Sequence, residues 1–456
     1  MNTSPSDFEL VDGSRIAIVG GGPAGSFFAF FLLQIAGRVD LKLEVDIYEP
    51  RDYSRSGPAG CNMCGGVVSE TLVQLLAVEG INLPPSVVRR GLDSYVLHTD
   101  GAAVQIRLPQ EEMRIAALYR GSGPKGSELG KWDSLDATLL GLACGKGARH
   151  IPQRVAGLAW EDGRPVVSTQ DGRSQRYDLL VGSFGVNSGA FELFRSLDAT
   201  LAQPRTAKAY IGELHLGAEN IEKHLGNSMH AFLLDIPGLE FAALIPKAHY
   251  VTVCILGRDV DASLIERFMT SPEVSACLPA DANARLQACK CSPRINVGGS
   301  RHCFGDRVLL VGDCGVSRLY KDGIGAAYKA AKAGAVTAVF HGVSRQDFQK
   351  YYWPMCRTLE LDNKLGKLMF ACAIFVKKMG LLRRGMLRLT AAEQAERGPR
   401  MDMSMILWDL FTGSAPYRDI AFRAISPGFL LRFAAATVAA LFCWNAPKKN
   451  ASAPKR

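Results

Sequence analysis

Three groups of residues in this sequence have the types and spacing to do chemistry. The first is Gly20-x-Gly22-x-x-Gly25, which directly follows the apolar run Ile16 to Val19 and opens an uncharged stretch from Ser26 to about Ile35. Strand, glycine turn and helix in that order form a grip for a dinucleotide. Gly20 permits the tight turn, Gly22 lets backbone approach a pyrophosphate, and Gly25 lets the helix pack closely on the strand, with Pro23 and Ala24 completing the turn. The helix N-terminus then offers unpaired N–H groups and the positive end of its dipole to the phosphates. A second apolar run, Leu43 to Tyr48, ends in Glu49, where an acidic ribose ligand is expected. Its distance from the glycines exceeds the usual spacing of about 20 residues, which the insert around Gly37 to Leu41 accounts for.

The second group is thiol-rich. Cys61-x-x-Cys64 lies in a loop of small residues, Ser56 to Ser69, that continues through Gly65 and Gly66 into an amphipathic helix at Glu70 to Val78. Such a loop lets a ligand approach backbone closely. Cys289-x-Cys291, flanked by Cys277 and Cys303, raises the question of a metal or an iron–sulfur cluster. The spacings fit neither the ferredoxin nor the zinc patterns, so no metal is expected. The third group closes an apolar run at Gly312-Asp313 and is followed by Gly323-x-Gly325, which opens an alanine-rich helix. This places a carboxylate where it can meet sugar-like hydroxyls and a helix N-terminus where it can face a phosphate.

The elements that must hold these groups read as α/β. Strands are predicted at Ser94 to His98, Ala103 to Leu108 and Ile115 to Tyr119, the last closed by Arg120, with turn signals that imply antiparallel pairing. A helix from Trp132 to Gly145 precedes strands at Val155 to Trp160 and Val166 to Thr169, joined by the hairpin signal Asp162-Gly163. Tyr177 to Ser188 is a further buried strand ending in glycines. From about 205 to 290 strands and helices alternate, including Phe241 to Lys247 and Tyr250 to Leu256, as in a second domain inserted into the first.

With 456 residues, 48% of them hydrophobic, the chain is long enough for two or three domains with a substantial core. Met1 to Ser14 is polar, so no signal peptide is expected, and the 12 scattered cysteines read as reduced thiols in the cytoplasm. The net charge of +9 is uneven: residues 341 to 456 carry 19 Lys and Arg against 8 Asp and Glu. Mixed with apolar helix, that excess suggests an anionic membrane surface and not nucleic acid, for which no motif is present. The apolar stretch Leu365 to Leu389 carries Lys377, Lys378, Arg383 and Arg384. Phe429 to Trp444 carries Arg432 and is too short after it for the roughly 20 residues of a membrane span. Trp444 with Lys448 and Lys449 has the arrangement of an interfacial anchor, and a core helix docking on the rest of the chain is the alternative.

The three nucleotide-type segments, in this order, resemble the FAD-dependent oxidoreductases of the para-hydroxybenzoate hydroxylase type, and among them the geranylgeranyl reductase family. The likeness covers about residues 14 to 340. Its motifs here are Gly20-x-Gly22-x-x-Gly25 with Glu49, the segment Asp178 to Ser188, and Gly312-Asp313 with Gly323-x-Gly325. The reductase branch is indicated by the loop from Pro58 through Cys64-Gly65-Gly66 and by Phe241-x-x-x-x-Pro246-Lys247, where Ala243 and Ile245 replace the family's Trp and Phe.

The resemblance implies an α/β fold with a Rossmann-like FAD-binding domain (14–92, 120–200 and 292–342), an inserted α+β substrate domain (93–119 and 201–291) and a C-terminal helical region (343–456). It implies that Glu49 binds the FAD ribose, that Arg120 approaches the cofactor, that Asp313 binds its ribityl or pyrophosphate part, and that Cys64 lies near the isoalloxazine and substrate. Phe184 stands where many relatives have an Asp associated with the nicotinamide donor, so NAD(P)H and reduced ferredoxin both remain open as electron sources. The expected activity is reduction of carbon–carbon double bonds in an isoprenoid (geranylgeranyl or polyprenyl) lipid or quinone side chain at the cytoplasmic membrane surface. The alternatives are a flavin monooxygenase or halogenase, against which stand the missing Trp in 241–246 and the missing Lys after Glu49, and a membrane-docked flavin electron carrier.

Overall fold

In a computed structural model, residues 7–442 are described except 58–59, 62–63, 108–114, 128–132, 281–288, 301, 397 and 399. The chain divides into two compact units. The first comprises Met1–Arg55, Asp133–Ala207 and Arg294–Asn363; the second comprises Ser56–Trp132, Lys208–Pro293 and Lys364–Arg456.

The first unit is built on a sheet whose strands run in the order Phe304–Gly305, Val308–Leu310, Leu179–Gly182, Arg15–Val19, Glu44–Tyr48 and Arg149–Ile151. All pairs are parallel except the antiparallel edge hairpin Phe304–Gly305 with Val308–Leu310. Parallel strands covered on both faces must be apolar throughout, and Ile16 to Val19 and Leu179 to Gly182 are buried at every position. Helices Pro23–Arg38 and Gly323–Phe340 pack together, Phe27 and Phe31 meeting Tyr328 edge-on at 5.9 and 5.4 Å. The hairpin at Asp162-Gly163 forms as expected, with φ of 49° and 69° at the two residues, the left-handed pair that a two-residue type I′ turn needs. The helical prediction that precedes this hairpin is trimmed at its start. The helix is Leu135–Gly145, because the Ser134 hydroxyl caps it by accepting from Ala137 N–H at 3.0 Å. Trp132 lies outside the described residues.

The second unit carries a larger, mostly antiparallel sheet with strands in the order Cys289–Cys291, Arg205–His215, Tyr250–Gly257, Leu239–Lys247, Ser228–Leu233, Ser94–Thr99 and Ala102–Arg107. Period-two alternation gives it two distinct faces. One holds Leu244, Val251, Val253 and Ile255 and closes a core with Leu264, Phe268 and Val274. The other aligns Glu213, Thr252 and Ile245 across three strands, with Ile211, Cys254 and Ala243 in the neighbouring row.

Much of the C-terminal region completes the core of this second unit. Helix Asp402–Thr412 is buried along most of its length, with Trp408 5.6 Å from Tyr95. Phe370 stacks on Phe241 at 5.6 Å, and Tyr417 fills the space left by Gly366, where a Cβ would come within 2.6 Å of the ring. The basic residues are used internally as well. Lys377 Nζ is buried and donates to Leu239 O at 2.7 Å, Arg383 pairs with Asp100 at 3.0 Å, Arg423 with Asp409 at 2.8 Å, and Arg432 with Asp402. Part of the charge excess of residues 341–456 is therefore turned inward, since Lys377 is buried and Arg383 pairs with Asp100 outside the segment. Among the described residues no single helix is long and apolar enough to cross a membrane; Tyr417–Ala424 and Pro427–Phe442 meet at a bend of 64°. Trp444, Lys448 and Lys449 lie outside the described residues.

Candidate functional sites in the two units

In the first unit the glycine motif forms a cradle that leaves no room for a side chain at Gly20 or Gly25. Gly20 has φ +110°, and a Cβ there would lie 2.7 Å from Ser183 O; at Gly25 it would lie 2.0 Å from Gly20 O. Ser183 locks the turn by donating from Oγ to Gly20 O at 2.7 Å. Gly22 is the extended N-cap of the first helix and makes no side-chain cap, with Pro23 and Ala24 in the first turn. Glu49 is buried beside this turn. Its carboxylate accepts from Gly21 N–H at 3.0 Å, Tyr53 O–H at 2.9 Å and Arg51 N–H at 2.9 Å. A carboxylate has about four acceptor positions, so room for one more donor is left.

Gly312 and Asp313 complete the cradle from the other side. Gly312 has φ +74°, and a Cβ there would fall 2.7 Å from Ala24 Cβ and 4.0 Å from Ala327 Cβ, so the first turns of the two long helices close on this one residue. The Asp313 carboxylate makes no hydrogen bond among the described residues. It lies close to the start of helix Gly323–Phe340, its Oδ1 3.8 Å from where a Gly323 Cβ would be. Asp322 caps that helix by accepting from Gly325 N–H at 3.1 Å, and this is why Gly325 must lack a side chain: its Cβ would sit 2.3 Å from Asp322 Oδ1. Burial pushes the Asp322 carboxyl above its ordinary range, against the opposing charge of Arg318. Two helix N-termini, bare glycine backbone and one uncommitted carboxylate fit a dinucleotide with a polyhydroxyl chain.

The second unit holds a cavity of about 20 Å³ lined by Cys61, Cys64, Tyr119, Arg120, Ile211, Glu213, Cys289, Lys290 and Cys291, with Gly121, Gly123 and Pro124. The two cysteine pairs, more than 200 positions apart in sequence, thus meet around one space. Burial, followed by the neighbouring Cys61 and Cys289, pushes the Cys291 thiol up to about 12, so it stays protonated at neutral pH. Cys277 and Cys303 do not line this cavity. Cys277 lies on the other face of the sheet, and Cys303 is in the first unit, where a hydrogen bond with Cys356 and burial push its thiol well up.

Glu213 gives this cavity its acid. It is buried and accepts from Tyr119 O–H at 2.9 Å and from Thr252 O–H at 2.8 Å. Desolvation raises its carboxyl above the ordinary range, while the charge of Lys247 and the two hydroxyls oppose the rise. Lys247 is itself fully buried, with Nζ 3.9 Å from the Tyr119 ring centroid and no hydrogen-bond partner among the described residues. An ammonium in that position is stabilised by the ring, by about 2 kcal/mol when desolvated, and keeps its three donors for an incoming acceptor. Gly66 makes room for it: φ is +69°, and a Cβ would fall 1.9 Å from Leu118 O and 2.9 Å from Lys247 Nζ. Gly65 likewise lies against Cys254 Sγ, 3.1 Å from its would-be Cβ.

Of the residues singled out in the sequence, Cys64 and Arg120 line the cavity, and Gly65, Gly66 and Lys247 adjoin it. Phe241 and Pro246 do not line it. Phe241 packs between Phe370 and Phe411, and Pro246 points to the opposite face with its partner Val251. Glu213, Tyr119 and Ser183 escaped the sequence reading. The available signal was a lone acid at an inward position of the strand Arg205–His215, in step with Ala209 and Ile211.

No protein-family model matches the sequence, and no curated protein matches it. Solved structures with the same fold do. A geranylgeranyl bacteriochlorophyll reductase-like protein from Thermoplasma acidophilum superposes with a TM-score of 0.63 at 15% identity, covering 91% of this chain and 99% of that one. A flavoprotein/dehydrogenase from Cytophaga hutchinsonii gives 0.60 at 13%, covering 94% and 99%. A variant of the halogenase PltM in complex with FAD gives 0.55 at 14%, covering 94% and 91%. At these identities the likeness is one of fold: a mixed α/β flavoprotein architecture with a C-terminal helical region.

Proposed function

We propose that this chain is an FAD-dependent oxidoreductase that reduces carbon–carbon double bonds of an isoprenoid lipid. The observation that carries the reading is the buried Glu213, held in a cavity with Cys64 and the protonated Cys291, in a chain whose first unit has a dinucleotide cradle. Bound FAD, once reduced, supplies the hydride equivalent that an alkene carbon accepts. The chain's part is the proton and the positioning. The raised carboxyl of Glu213 holds a proton for the second alkene carbon, Tyr119 and Thr252 fix its orientation, and the ammonium of Lys247 stabilises the carboxylate left behind. An unactivated alkene accepts hydride poorly, so ordering of cofactor, alkene and acid together must supply much of the rate. The electron donor on this reading is NAD(P)H or a reduced ferredoxin.

Anaerobic reduction of the protein followed by polyprenyl lipid tests this. Flavin reoxidation with a gain of about two mass units per reduced bond is the expected result. Reoxidation by oxygen alone, with a hydroxylated or halogenated product, would support the oxygen-activating chemistry of the halogenase-type neighbours instead. No reoxidation by any lipid would point to an electron carrier.

Cys64 is the second proton donor to examine. Because a thiol is ordinarily far more acidic than a hydroxyl, Cys64→Ser should slow lipid-dependent reoxidation by about 10²-fold and leave FAD content intact. Cys61→Ser is the comparison: equal and near-normal rates would remove Cys64 from the chemistry, and equal loss would indicate a coupled dithiol.

We propose that membrane docking uses the exposed apolar residues of the last two helices and their junction, Phe422, Ile425, Leu431, Leu441 and Phe442. Truncation is a poor test, since Gly385 packs against Thr437 so closely that a Cβ there would lie 2.8 Å from Thr437 Cα. Phe422→Glu with Leu431→Glu and Phe442→Glu should instead move the protein from anionic vesicles into the supernatant with FAD retained. Unchanged vesicle binding would exclude this face.

A further inference from the structure

We propose that His98, His230 and Cys277 form a site for a single thiolate-binding d10 metal ion, zinc(II) or copper(I), separate from the cavity around Glu213. The three side chains come from different parts of the second unit. His98 and His230 stand on the adjacent parallel strands Ser94–Thr99 and Ser228–Leu233, where the register pairs Val96 with His230 and His98 with Phe232, so both rings project from the same face. Cys277 reaches them from just beyond the short helix Pro272–Ser275. This is the face that carries Leu244 and Val253, opposite the one that carries Glu213.

The donor atoms are already near the spacing that one ion imposes. His98 Nε2 and His230 Nδ1 are 2.9 Å apart, and Cys277 Sγ lies 3.4 Å from His230 Nδ1 and 3.7 Å from His98 Nε2. With zinc–nitrogen bonds of about 2.0–2.1 Å and a zinc–sulfur bond of about 2.3 Å, a tetrahedral ion holds two nitrogens roughly 3.3 Å apart and nitrogen and sulfur roughly 3.6 Å apart. Shifts of a few tenths of an ångström therefore suffice. Among the described residues this is the one group of three such donors within 4.8 Å of one another. The thiols around the Glu213 cavity are spread more widely.

The surroundings suit a fixed ion. Relative exposures are 2% for His98, 4% for His230 and 0% for Cys277. His98 stacks on Phe232 at 4.6 Å and lies nearly parallel to His230, which restricts both rings. Without metal, one imidazole N–H donates to the other ring and the thiol donates to Glu273 O at 3.2 Å. Binding requires the donor ring to carry its proton on its other nitrogen, so that both imidazoles ligate as neutral rings, and the thiol proton alone leaves to solvent. Imidazole with thiolate is a borderline-to-soft donor set that selects zinc or copper over magnesium or calcium. The ion would tie the segment after Pro272–Ser275 to the sheet, a structural task independent of the flavin chemistry.

The test uses the full-length protein, purified under reducing conditions without chelator. Elemental analysis should find about one equivalent of zinc or copper per chain. Cobalt(II) loading should give a near-ultraviolet thiolate charge-transfer band, and an anaerobic copper(I) titration against a competing chelator separates the two ions. Cys277→Ser should abolish the band, whereas Cys61→Ser and Cys291→Ser should keep it. Because Cys277→Ser can fail to fold, the wild-type chain is also stripped by chelator: its unfolding temperature should fall and recover with added ion. The proposal is overturned if the folded wild-type chain binds neither ion, or if the cobalt band survives Cys277→Ser and follows Cys61 or Cys291.

Discussion

Asp313→Ala is expected to yield a folded protein that has lost most of its flavin. The carboxylate makes no hydrogen bond among the described residues, while the backbone carbonyl of Asp313, which alanine keeps, accepts from Asn296 Nδ2 at 2.9 Å. Folding therefore depends on the backbone and ligand binding on the side chain. Hydrogen bonds to a charged group contribute about 1.5–3 kcal/mol, so the loss corresponds to a roughly 10- to 100-fold weaker FAD affinity. Gly22→Val tests the same cradle by steric means, placing a branched side chain at the first helix N-terminus where the pyrophosphate is expected. Absorbance at the flavin maximum, circular dichroism and equilibrium dialysis with FAD give the readout. If both variants are folded and fully yellow, the cradle is not where FAD binds.

The second large effect is expected at Glu213. Glu213→Gln keeps the acceptor for Tyr119 and Thr252 and removes only the titratable proton, so it should slow lipid-dependent flavin reoxidation by about 10²–10⁴-fold with FAD content unchanged. In the wild type the same rate should fall as pH rises through the elevated pKa of Glu213, and the variant should lack that limb. Stability provides an independent check. Because desolvation raises the carboxyl in the folded chain, the folded state binds this proton more tightly than the unfolded one. Its contribution is complete below the ordinary value of 4.5 and is lost as pH rises through the folded-state pKa. Glu213→Gln should therefore flatten the decline in unfolding temperature within that window, between 4.5 and the folded-state pKa. A variant with normal single-turnover rates and only the flattened stability profile would make Glu213 a structural residue.

The backbone geometry of the glycine turn was legible in the sequence because its signal is local. Gly20, Gly22 and Gly25 follow a buried strand directly, and the constraints they relieve, a left-handed φ at Gly20 and a 2.0 Å approach at Gly25, arise within a few residues of chain. Gly312-Asp313 and Gly323-x-Gly325 were legible for the same reason. Composition and hydrophobic periodicity likewise sufficed for an α/β class with an inserted segment and a helical C-terminus.

What the tertiary structure decided is every property that depends on partners distant in the chain. Cys61-x-x-Cys64 and Cys289-x-Cys291 meet because the strand Cys289–Cys291 joins the edge of the sheet beside Arg205–His215, whereas Cys277, only twelve residues before Cys289, points to the opposite face and finds two histidines. Glu213 acquires its character from Tyr119 and Thr252, and Lys247 from the same ring. The basic tail is the reverse case: its charge could be counted from sequence, but ion pairs such as Arg383 with Asp100 consume part of it. Backbone geometry is set over short range and can be read along the chain. Desolvation and electrostatic pairing are set by whatever folding brings within a few ångströms, and the order of residues alone does not specify those neighbours.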